Sequence, residues 1–259
     1  MLSRTAENLY WMGRYIERAD CTARLIEMAS RMAMLPGSWS DEEWRSALAA
    51  TGCADMLPAE ASLGETAVVE TLLLDTANPA SIRACLGQAR ANGRAERTRL
   101  TREMWEPLNE TWRRLAALDL AEARRELPAL LDWVKTRAAL FRGAVATSML
   151  RAEAYEFLLL GIHVERADMT LRLLDVKYYV LLPETDVVGG GRDYHQWTSV
   201  LWATSATRAF HHVYRGDYSP WKIVDFLMLN RAFPRSLLFC YRQIGDGLDR
   251  LAASHGVRR

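Results

Sequence analysis

The sequence predicts an all-α fold, a helical bundle of two related halves about a pseudo-two-fold axis. Only 15 glycines and 8 prolines interrupt its 259 residues. The long stretches between them are rich in alanine, leucine, arginine and glutamate, which favour helices, and few show the alternation typical of a strand. A charged segment also occurs twice, at 16–27 and 164–175. We therefore expect one domain spanning 1–259, with halves of about 1–147 and 148–259.

Clusters of glycine and proline mark the loops between the predicted helices. The clearest are Pro36-Gly37, the stretch from Gly52 to Gly64, and Pro183 followed by Gly189-Gly190-Gly191. Asn78-Pro79 places a capping residue before a proline, which is typical of a helix start. The predicted helices span 3–34, 40–50, 66–76, 79–119, 120–147, 148–181, 194–215 and 219–255.

The repeat is the most informative feature of the sequence. Residues 16–27 read Ile-Glu-Arg-Ala-Asp-Cys-Thr-Ala-Arg-Leu-Ile-Glu, and residues 164–175 read Val-Glu-Arg-Ala-Asp-Met-Thr-Leu-Arg-Leu-Leu-Asp. A glycine precedes each copy and a Leu-Pro pair follows it, at Gly13 and Gly161 and at Leu35-Pro36 and Leu182-Pro183. Solenoid repeats lie much closer together along the chain, so this spacing indicates two related α-helical halves.

On a helical wheel, Glu165, Asp168 and Arg172 of the second copy form one stripe with apolar residues on both sides. A helix that is apolar on both flanks is predicted to be buried, so we expect this charged stripe to be buried and paired. Asp168 and Arg172 are four residues apart and can pair within the helix. The first copy has the same stripe but more polar flanks, and we expect it to lie closer to solvent or to a cleft.

Two interpretations of the charged residues are open. In one, they form a buried salt-bridge network that holds the two halves in register. In the other, the two stripes converge on a polar site, because strongly coupled buried charges are also typical of active sites. The candidate catalytic residues are then Glu17, Arg18, Glu165 and Arg166, and the candidate substrate-binding residues are Arg14, Asp20, Arg24, Asp168 and Arg172.

Composition disfavours several other classes of protein. Lys plus Arg is 33 and Asp plus Glu is 32, a net charge of +1, so no global field favours nucleic acid or anionic lipid. No apolar run is long enough for a membrane span, and Met1–Glu7 lacks an apolar signal core. The four cysteines are scattered, which disfavours disulfides and structural zinc. We expect a cytoplasmic protein that binds neither nucleic acid nor membranes.

Five segments carry a resemblance to a known family. They are Met1-Leu2-Ser3-Arg4-x-Ala6-Glu7-x-Leu9-Tyr10-Trp11-Met12-Gly13-Arg14-Tyr15-x-Glu17-Arg18-Ala19, Gly161-x-x-x-Glu165-Arg166-Ala167-Asp168-Met169-Thr170, Arg102-Glu103-Met104-Trp105-Glu106-x-Leu108-Asn109, Phe141-Arg142-Gly143 and Phe233-Pro234-Arg235-Ser236. Together they resemble the bacterial alpha-E domain family, a helical family named for its Glu-Arg motif. The second copy departs from the first in having Gly161-Ile162 in place of Gly13-Arg14. The chain is also short for the family, with a compact region between 52 and 65.

The resemblance implies partners rather than roles for single residues. Members of this family are typically encoded beside ATP-grasp ligases and transglutaminase-like proteins. The resemblance therefore implies a part in ATP-dependent peptide ligation or modification. It implies a peptide substrate and an ATP-grasp ligase-like partner that holds ATP and Mg²⁺, with no cofactor in this chain.

Outside the repeat, a row of arginines is the main candidate for anion binding. Arg83, Arg90 and Arg97 recur every seven residues, and Arg94 lies on the same side. The row either faces solvent and pairs with acidic neighbours, or it grips a phosphate or carboxylate. Arg235 follows a proline within a predicted helix, where we expect a kink and freed backbone groups. Arg235 is therefore a further candidate anion contact.

Metal and histidine chemistry receive less support. Glu17-x-x-Asp20 and Glu165-x-x-Asp168 have the spacing of paired ligands in four-helix di-metal sites. They lack the histidine of those sites, and the neighbouring arginines compete for the carboxylates, so we predict no metal. His163 is predicted to be a core histidine whose hydrogen bonds are satisfied.

Three functions are compatible with these patterns. In the first, the chain is a component of an ATP-grasp-associated peptide ligation or modification system and binds the peptide or the transferred group at the Glu/Arg/Asp site. In the second, it is a free-standing enzyme that performs acid–base or carboxylate–metal chemistry on a small molecule. In the third, it is a structural adaptor with no site. Whether the chain is an enzyme stays open at this level.

Overall fold

The computed structural model describes residues 1–34, 40–56, 64–179 and 190–256, and these ranges contain helices and no β-strand. The all-α prediction is therefore confirmed. In chain order the helices are α1 Ser3–Ala33, α2 Ser40–Thr51, α3 Glu65–Val69, α4 Ile82–Ala95, α5 Arg102–Ala117, α6 Leu120–Arg125, α7 Leu127–Ser148, α8 Glu153–Tyr179, α9 Gly191–Ala203, α10 Thr207–Tyr214, α11 Pro220–Leu229 and α12 Leu237–Ser254. None of the described helices is both long and apolar enough to cross a membrane.

Several predicted helices are shorter than expected. The helix predicted over 79–119 is wrong, because the chain leaves α4 after Ala95 and makes a 3-10 turn at Arg97–Arg99 before α5 begins. The kink predicted at Pro234 is instead a break between α11 and α12. Proline lacks the amide hydrogen that would continue the helical ladder, and the hydroxyl of Ser236 caps the new helix by accepting from the amide of Phe239. The predicted loop residues Leu35-Pro36, Leu182-Pro183 and Gly189 lie outside the described residues.

Helix α1 is the centre of the bundle. It packs against α8 and α4 most extensively, and also against α2, α7 and α9. Glu17 and Asp20 are consequently fully buried and Arg24 is 9% exposed, while the side chains of Arg172 and Asp168 in the second copy are 36% and 39% exposed. The expectation that the first copy lies closer to solvent is therefore wrong, because the number of covering helices outweighs the polarity of the flanks.

The repeat extends beyond α1 and α8. The segment Trp44–Cys53, at the end of α2 and just beyond it, corresponds to Trp197–Ala206 at the end of α9. In both segments, the threonine that follows the last alanine donates to the carbonyls three and four residues earlier. The next residues, Gly52 and Ser205, both have positive φ, 74° and 56°. Helices α2 and α9 thus end in the same way, so the duplication covers them as well.

A third pair of segments precedes α4 and α12. Ser81 and Ser236 cap these helices, and each hydroxyl also donates to a carbonyl six residues earlier, that of Asp75 or Asn230. Cys85 and Cys240 donate to the equivalent proline carbonyls, at 3.4 and 3.6 Å. The order α1, α2, α4 thus recurs as α8, α9, α12, with α5–α7 between the two sets. A two-fold axis relating the halves as wholes stays a prediction.

Candidate functional site

The site is organised around the crossing of α1 and α8. A Cβ atom added to Gly13 would lie nearer than 3.0 Å to the carbonyl oxygen of Leu158, and one added to Gly161 would lie equally close to that of Tyr10. Each repeat glycine therefore lies against the backbone of the other repeat. This close approach brings the charged residues one turn further along each helix within hydrogen-bonding distance of the opposite helix.

The Glu-Arg pairs of the two repeats are exchanged. Arg166 donates from Nε and Nη2 to the carboxylate of Glu17, at 2.7 and 3.0 Å. Arg18 donates from the same two nitrogens to the carboxylate of Glu165, at 2.6 and 3.0 Å. Both glutamates are 0% exposed, and such two-pronged contacts match the planar guanidinium to the carboxylate. The buried salt-bridge network predicted from the sequence is confirmed.

The network around Glu17 is closed by two arginines from other helices. Arg235 donates to Glu17 at 3.1 Å and to Asp20 at 2.6 Å, and Arg142 of α7 donates to the same two residues at 3.0 and 3.4 Å. Burial raises the pKa of Glu17, but Arg166, Arg235 and Arg142 outweigh that effect and hold its pKa well below the usual range. Glu17 is therefore held as an anion, which disfavours a proton-transfer role for it.

Asp20 belongs to the same network. Burial raises the pKa of Asp20, but the nearby arginines lower it by more than burial raises it, so the net shift is downward. Arg24 donates to Asp20 at 3.3 Å and to the carbonyl of Ala203, at the end of α9, at 2.8 Å. Arg172, the equivalent residue in the second copy, donates to the carbonyl of Ala50 at 2.8 Å. The repeat arginines thus satisfy the last turns of α9 and α2, which would otherwise leave carbonyls unpaired.

The network around Glu165 is smaller and more open. Arg14 and Arg18 donate to Glu165, and Arg172 donates to Asp168 at 2.8 Å. The pairing of Asp168 with Arg172 was predicted, but the expectation that both are buried is wrong, because their side chains reach the protein surface.

A cavity of about 120 Å³ opens beside Glu165. Charged groups of both signs line it, together with two threonines and two small or apolar residues: Arg18, Thr22, Thr51, Ala80, Glu165, Asp168, Met169 and Arg172. Its wall combines carboxylates and arginines of the repeat, and two of them, Asp168 and Arg172, are partly exposed. The predicted site residues Arg18, Glu165, Asp168 and Arg172 therefore meet here.

A larger groove of about 820 Å³ lies elsewhere, between α7, α9 and α10, and Arg24 of α1 also lines it. Its lysine, Lys135, bonds to Glu27 at 2.5 Å and to Asp132 at 2.7 Å. The groove is wide and open, and Arg24 is the only residue of the charged segments 16–27 and 164–175 among the described residues that line it. We therefore take the smaller cavity as the candidate site.

The predicted arginine row does not converge on one place. Arg83 donates to the carbonyls of Leu115 and Leu118 at the end of α5, and Arg97 lies in the 3-10 turn and donates to the carbonyl of Leu100 at 3.2 Å. Arg90 donates to Asn109 at 2.7 Å, and Arg94 is exposed. These contacts mainly attach α4 to α5, so neither a shared anion grip nor a wholly solvated face describes the row.

Arg235 and Arg142 both bind carboxylates of the first repeat. Arg235 was predicted to contact an anion of the substrate, and in the structure it pairs with Glu17 and Asp20 of the same chain. Arg142 was not among the candidate site residues. The sequence pointed to Arg142 only through the segment Phe141-Arg142-Gly143, which resembles the family. Helix α7 lies between the two sets of repeated helices, so the repeat offered no equivalent residue with which to align Arg142.

The buried groups at this site do not form a good metal centre. Glu17, Asp20 and Cys21 place one potential ligand atom each within 4.8 Å of one another. Burial raises the pKa of the Cys21 thiol to about 12, and a metal requires the thiolate. Arginines already bind the oxygens of both carboxylates. This donor set therefore favours guanidinium groups over a metal ion.

His163 differs from the sequence prediction. It is 8% exposed, yet its Nδ1 has no hydrogen-bond partner within the described parts of the chain, so the expectation of a satisfied core histidine is wrong. Burial, and secondarily the charge of Arg166, lower the pKa of His163 to about 4. The imidazole is therefore neutral at neutral pH.

Comparison with known proteins identifies one family. The model of the Alpha-E family, described as a predicted alpha-helical domain with a conserved ER motif, matches residues 1–259. No curated protein and no solved structure matches the chain significantly. Glu-Arg pairs occur in this chain at Glu17-Arg18, Glu96-Arg97 and Glu165-Arg166. The first and third of these exchange their side chains between α1 and α8.

Proposed function

The chain belongs to the Alpha-E family, and on that basis we propose that it is the substrate-binding component of an ATP-dependent peptide ligation or peptide modification system. In this proposal an ATP-grasp ligase-like partner holds ATP and Mg²⁺, and this chain holds the peptide or the transferred group. A transglutaminase-like protein is a further member of the proposed system. The proposal follows the family resemblance for the partner and the geometry of the Glu165 cavity for the binding role.

The observation that carries the binding role is the composition of the cavity wall. Glu165 and Asp168 offer carboxylate oxygens, and Arg18 and Arg172 offer guanidinium donors, within one cavity of about 120 Å³. A free amino acid carries both an ammonium and a carboxylate group, and each end of a peptide carries one of the two, so this wall offers a partner of opposite charge to either. Asp168 and Arg172 are partly exposed, which gives a ligand access from the surface.

The charged pairs favour binding over acid–base catalysis by this chain. A general acid or base exchanges its proton near the working pH, whereas Glu17 is held ionised by three arginines. Glu165 accepts hydrogen bonds from Arg14 and Arg18. A free-standing acid–base or metal enzyme is therefore the weaker alternative, and an adaptor without a ligand is the second alternative.

The test measures peptide mass after incubation with ATP and Mg²⁺. An ATP-grasp ligase-like candidate partner alone, this chain alone, and both together are compared on the same peptide. We expect the new peptide mass only, or at least about tenfold more of it, when both proteins are present. A partner that is fully active alone would favour the adaptor, and product formed by this chain alone would favour the free-standing enzyme.

Variants at the cavity rim link the activity to the site. Asp168→Asn keeps the size of a partly exposed side chain and removes its charge, so we expect the stimulation to fall while the fold persists. Asp132→Asn is the matched control, because Asp132 is 70% exposed and lies in the other groove. Glu17 is unsuitable for this purpose, because its removal would leave several buried arginines without their carboxylate.

A further inference from the structure

The two copies of the repeat differ at one position beside the site. The segment that precedes α12 contains Pro234-Arg235-Ser236, and the equivalent segment before α4 contains Pro79-Ala80-Ser81. Thr170 donates to the carbonyl of Arg235 at 2.9 Å, and its equivalent, Thr22, donates to the carbonyl of Ala80 at 3.3 Å. The backbone therefore passes the two glutamates in the same way, but an arginine side chain follows in one copy and a methyl group in the other.

In the first copy, the side chain of Arg235 fills the space beside Glu17. Its Nη1 donates to Oε1 of Glu17 at 3.1 Å and its Nη2 to Oδ2 of Asp20 at 2.6 Å, so that one guanidinium bridges the two carboxylates. Its side chain is 11% exposed. This arrangement is a guanidinium-binding site occupied by a residue of the same chain.

The equivalent acceptors in the second copy have fewer donors. Within the described part of the chain, Oε1 of Glu165 accepts one hydrogen bond, from Arg18, while Oε1 of Glu17 accepts from both Arg166 and Arg235. Asp168 accepts from Arg172 through Oδ2 alone among these residues. The acceptors that Arg235 uses in one copy are therefore available in the other.

The cavity occupies the place of the missing arginine. Ala80, Thr22, Glu165 and Asp168 all line it, and these are the equivalents of Arg235, Thr170, Glu17 and Asp20. Its volume of about 120 Å³ is well above the roughly 10–15 Å³ that a single water needs on this measure. It therefore has room for a planar group of several heavy atoms.

The charges agree with a cationic ligand. In the first copy, two carboxylates are bound by four arginines: Arg24, Arg142, Arg166 and Arg235. In the second copy, two carboxylates are bound by three arginines: Arg14, Arg18 and Arg172. One added guanidinium gives the second copy the same balance as the first.

We propose that the cavity beside Glu165 binds a guanidinium group, which bridges Glu165 and Asp168 as Arg235 bridges Glu17 and Asp20. The guanidinium belongs to an arginine side chain of a peptide or to a small free guanidine. This inference deepens the proposed function by naming the chemical class of the group that is held.

The test is direct binding to the full chain without any partner protein. Methylguanidinium and N-acetyl-arginine amide are titrated calorimetrically, with urea, methylammonium and acetate as neutral, compact cationic and anionic comparisons. We expect both guanidinium probes to bind saturably and at least about tenfold more tightly than the comparisons, because only a planar cation matches both carboxylates. Tighter binding of N-acetyl-arginine amide than of methylguanidinium assigns the peptide arginine, and the reverse order assigns a free guanidine.

Variants place the binding in this cavity. Ala80→Arg introduces the residue that the other copy has, so we expect loss of guanidinium binding together with a raised melting temperature. Thr76→Arg, at an exposed position in the same loop, adds the same charge outside the cavity and should leave binding unchanged. Asp168→Asn should weaken binding about tenfold or more, and it keeps the proposal testable if Ala80→Arg does not fold.

Three results would overturn the proposal: binding of acetate but not of the guanidinium probes, equal binding of urea, or guanidinium binding unchanged in both Ala80→Arg and Asp168→Asn. These outcomes are separable from those of the proposed function, because no ATP-grasp protein is present. A chain that stimulates its partner but binds no guanidinium contradicts only this inference. A chain that binds guanidinium but does not stimulate contradicts only the proposed function.

Discussion

Gly13 lies directly against the carbonyl group of Leu158 at the crossing of α1 and α8, at a separation that leaves no room for a Cβ atom. The equivalent pair, Gly161 and Tyr10, makes the same contact from the opposite helix. Backbone approach this close explains why both copies of the repeat have a glycine four residues before the glutamate. It also sets the distance at which the Glu-Arg pairs can exchange.

Gly13→Ala is expected to destabilise the protein by about 3 kcal/mol or more, because the added methyl group meets rigid backbone that a side-chain rotation cannot relieve. Gly143→Ala is the matched control. Gly143 also lies within a helix, and its Cβ would meet nothing within 4 Å, so we expect stabilisation of up to about 1 kcal/mol. Chemical denaturation measures both, and a loss at Gly143 equal to that at Gly13 would contradict the crossing geometry.

Glu165→Gln is expected to cost about 3–5 kcal/mol, because it leaves Arg14 and Arg18 without the buried carboxylate that they share. Glu106→Gln changes the same chemistry in a pair with Arg102 that is exposed on both sides, and it should cost less than about 1 kcal/mol. Urea titration of the two variants gives the comparison. Equal effects would show that Glu165 is solvated in solution.

Arg235→Lys is expected to recover less than half of the stability lost in Arg235→Ala. The reason is geometric: Arg235 reaches Glu17 and Asp20 with two different nitrogens, whereas lysine presents a single ammonium group. The free energy of unfolding of the two variants and the wild type decides this. Full recovery by lysine would mean that charge alone matters and that the bridge between the carboxylates contributes nothing.

His163 is expected to make the protein less stable as the pH falls from 6.5 to 4. Burial lowers its pKa in the folded state to about 4 from 6.5, so the unfolded chain binds the proton more readily throughout this window. The contribution of neutral His163 to the free energy of unfolding is fully present above pH 6.5 and declines below it. The loss reaches about 3 kcal/mol at pH 4 for an isolated shift of this size. His163→Leu should remove this part of the pH dependence, measured by denaturation at several pH values, while His195→Leu at an exposed position should not.

Much of the architecture was predictable because it depends on local chemistry. Stretches with a helix-forming composition and an apolar residue every 3.6 residues are predicted to be helical, and the described parts of the chain contain those helices. Breaks at Leu100 and Pro234 were harder to place, because a helix end depends on which capping and tertiary contacts compensate the lost hydrogen bonds. The repeats of α2 and α4 were missed, although Trp44–Cys53 and Trp197–Ala206 share their tryptophan, serine, leucine, alanine and threonine.

The chain by itself determined the helical class, the duplicated Glu-Arg motif and the need for its buried charges to be paired, because these follow from the order and spacing of side chains along one helix. Only the tertiary structure decided which charges pair and which reach the surface. Arg166 binds Glu17 rather than Glu165 because α1 and α8 cross at two glycines, and Asp168 is half exposed while Asp20 is buried because more helices cover α1. Pairing and exposure depend on neighbours brought together from distant parts of the chain, and spacing along one helix does not contain that information.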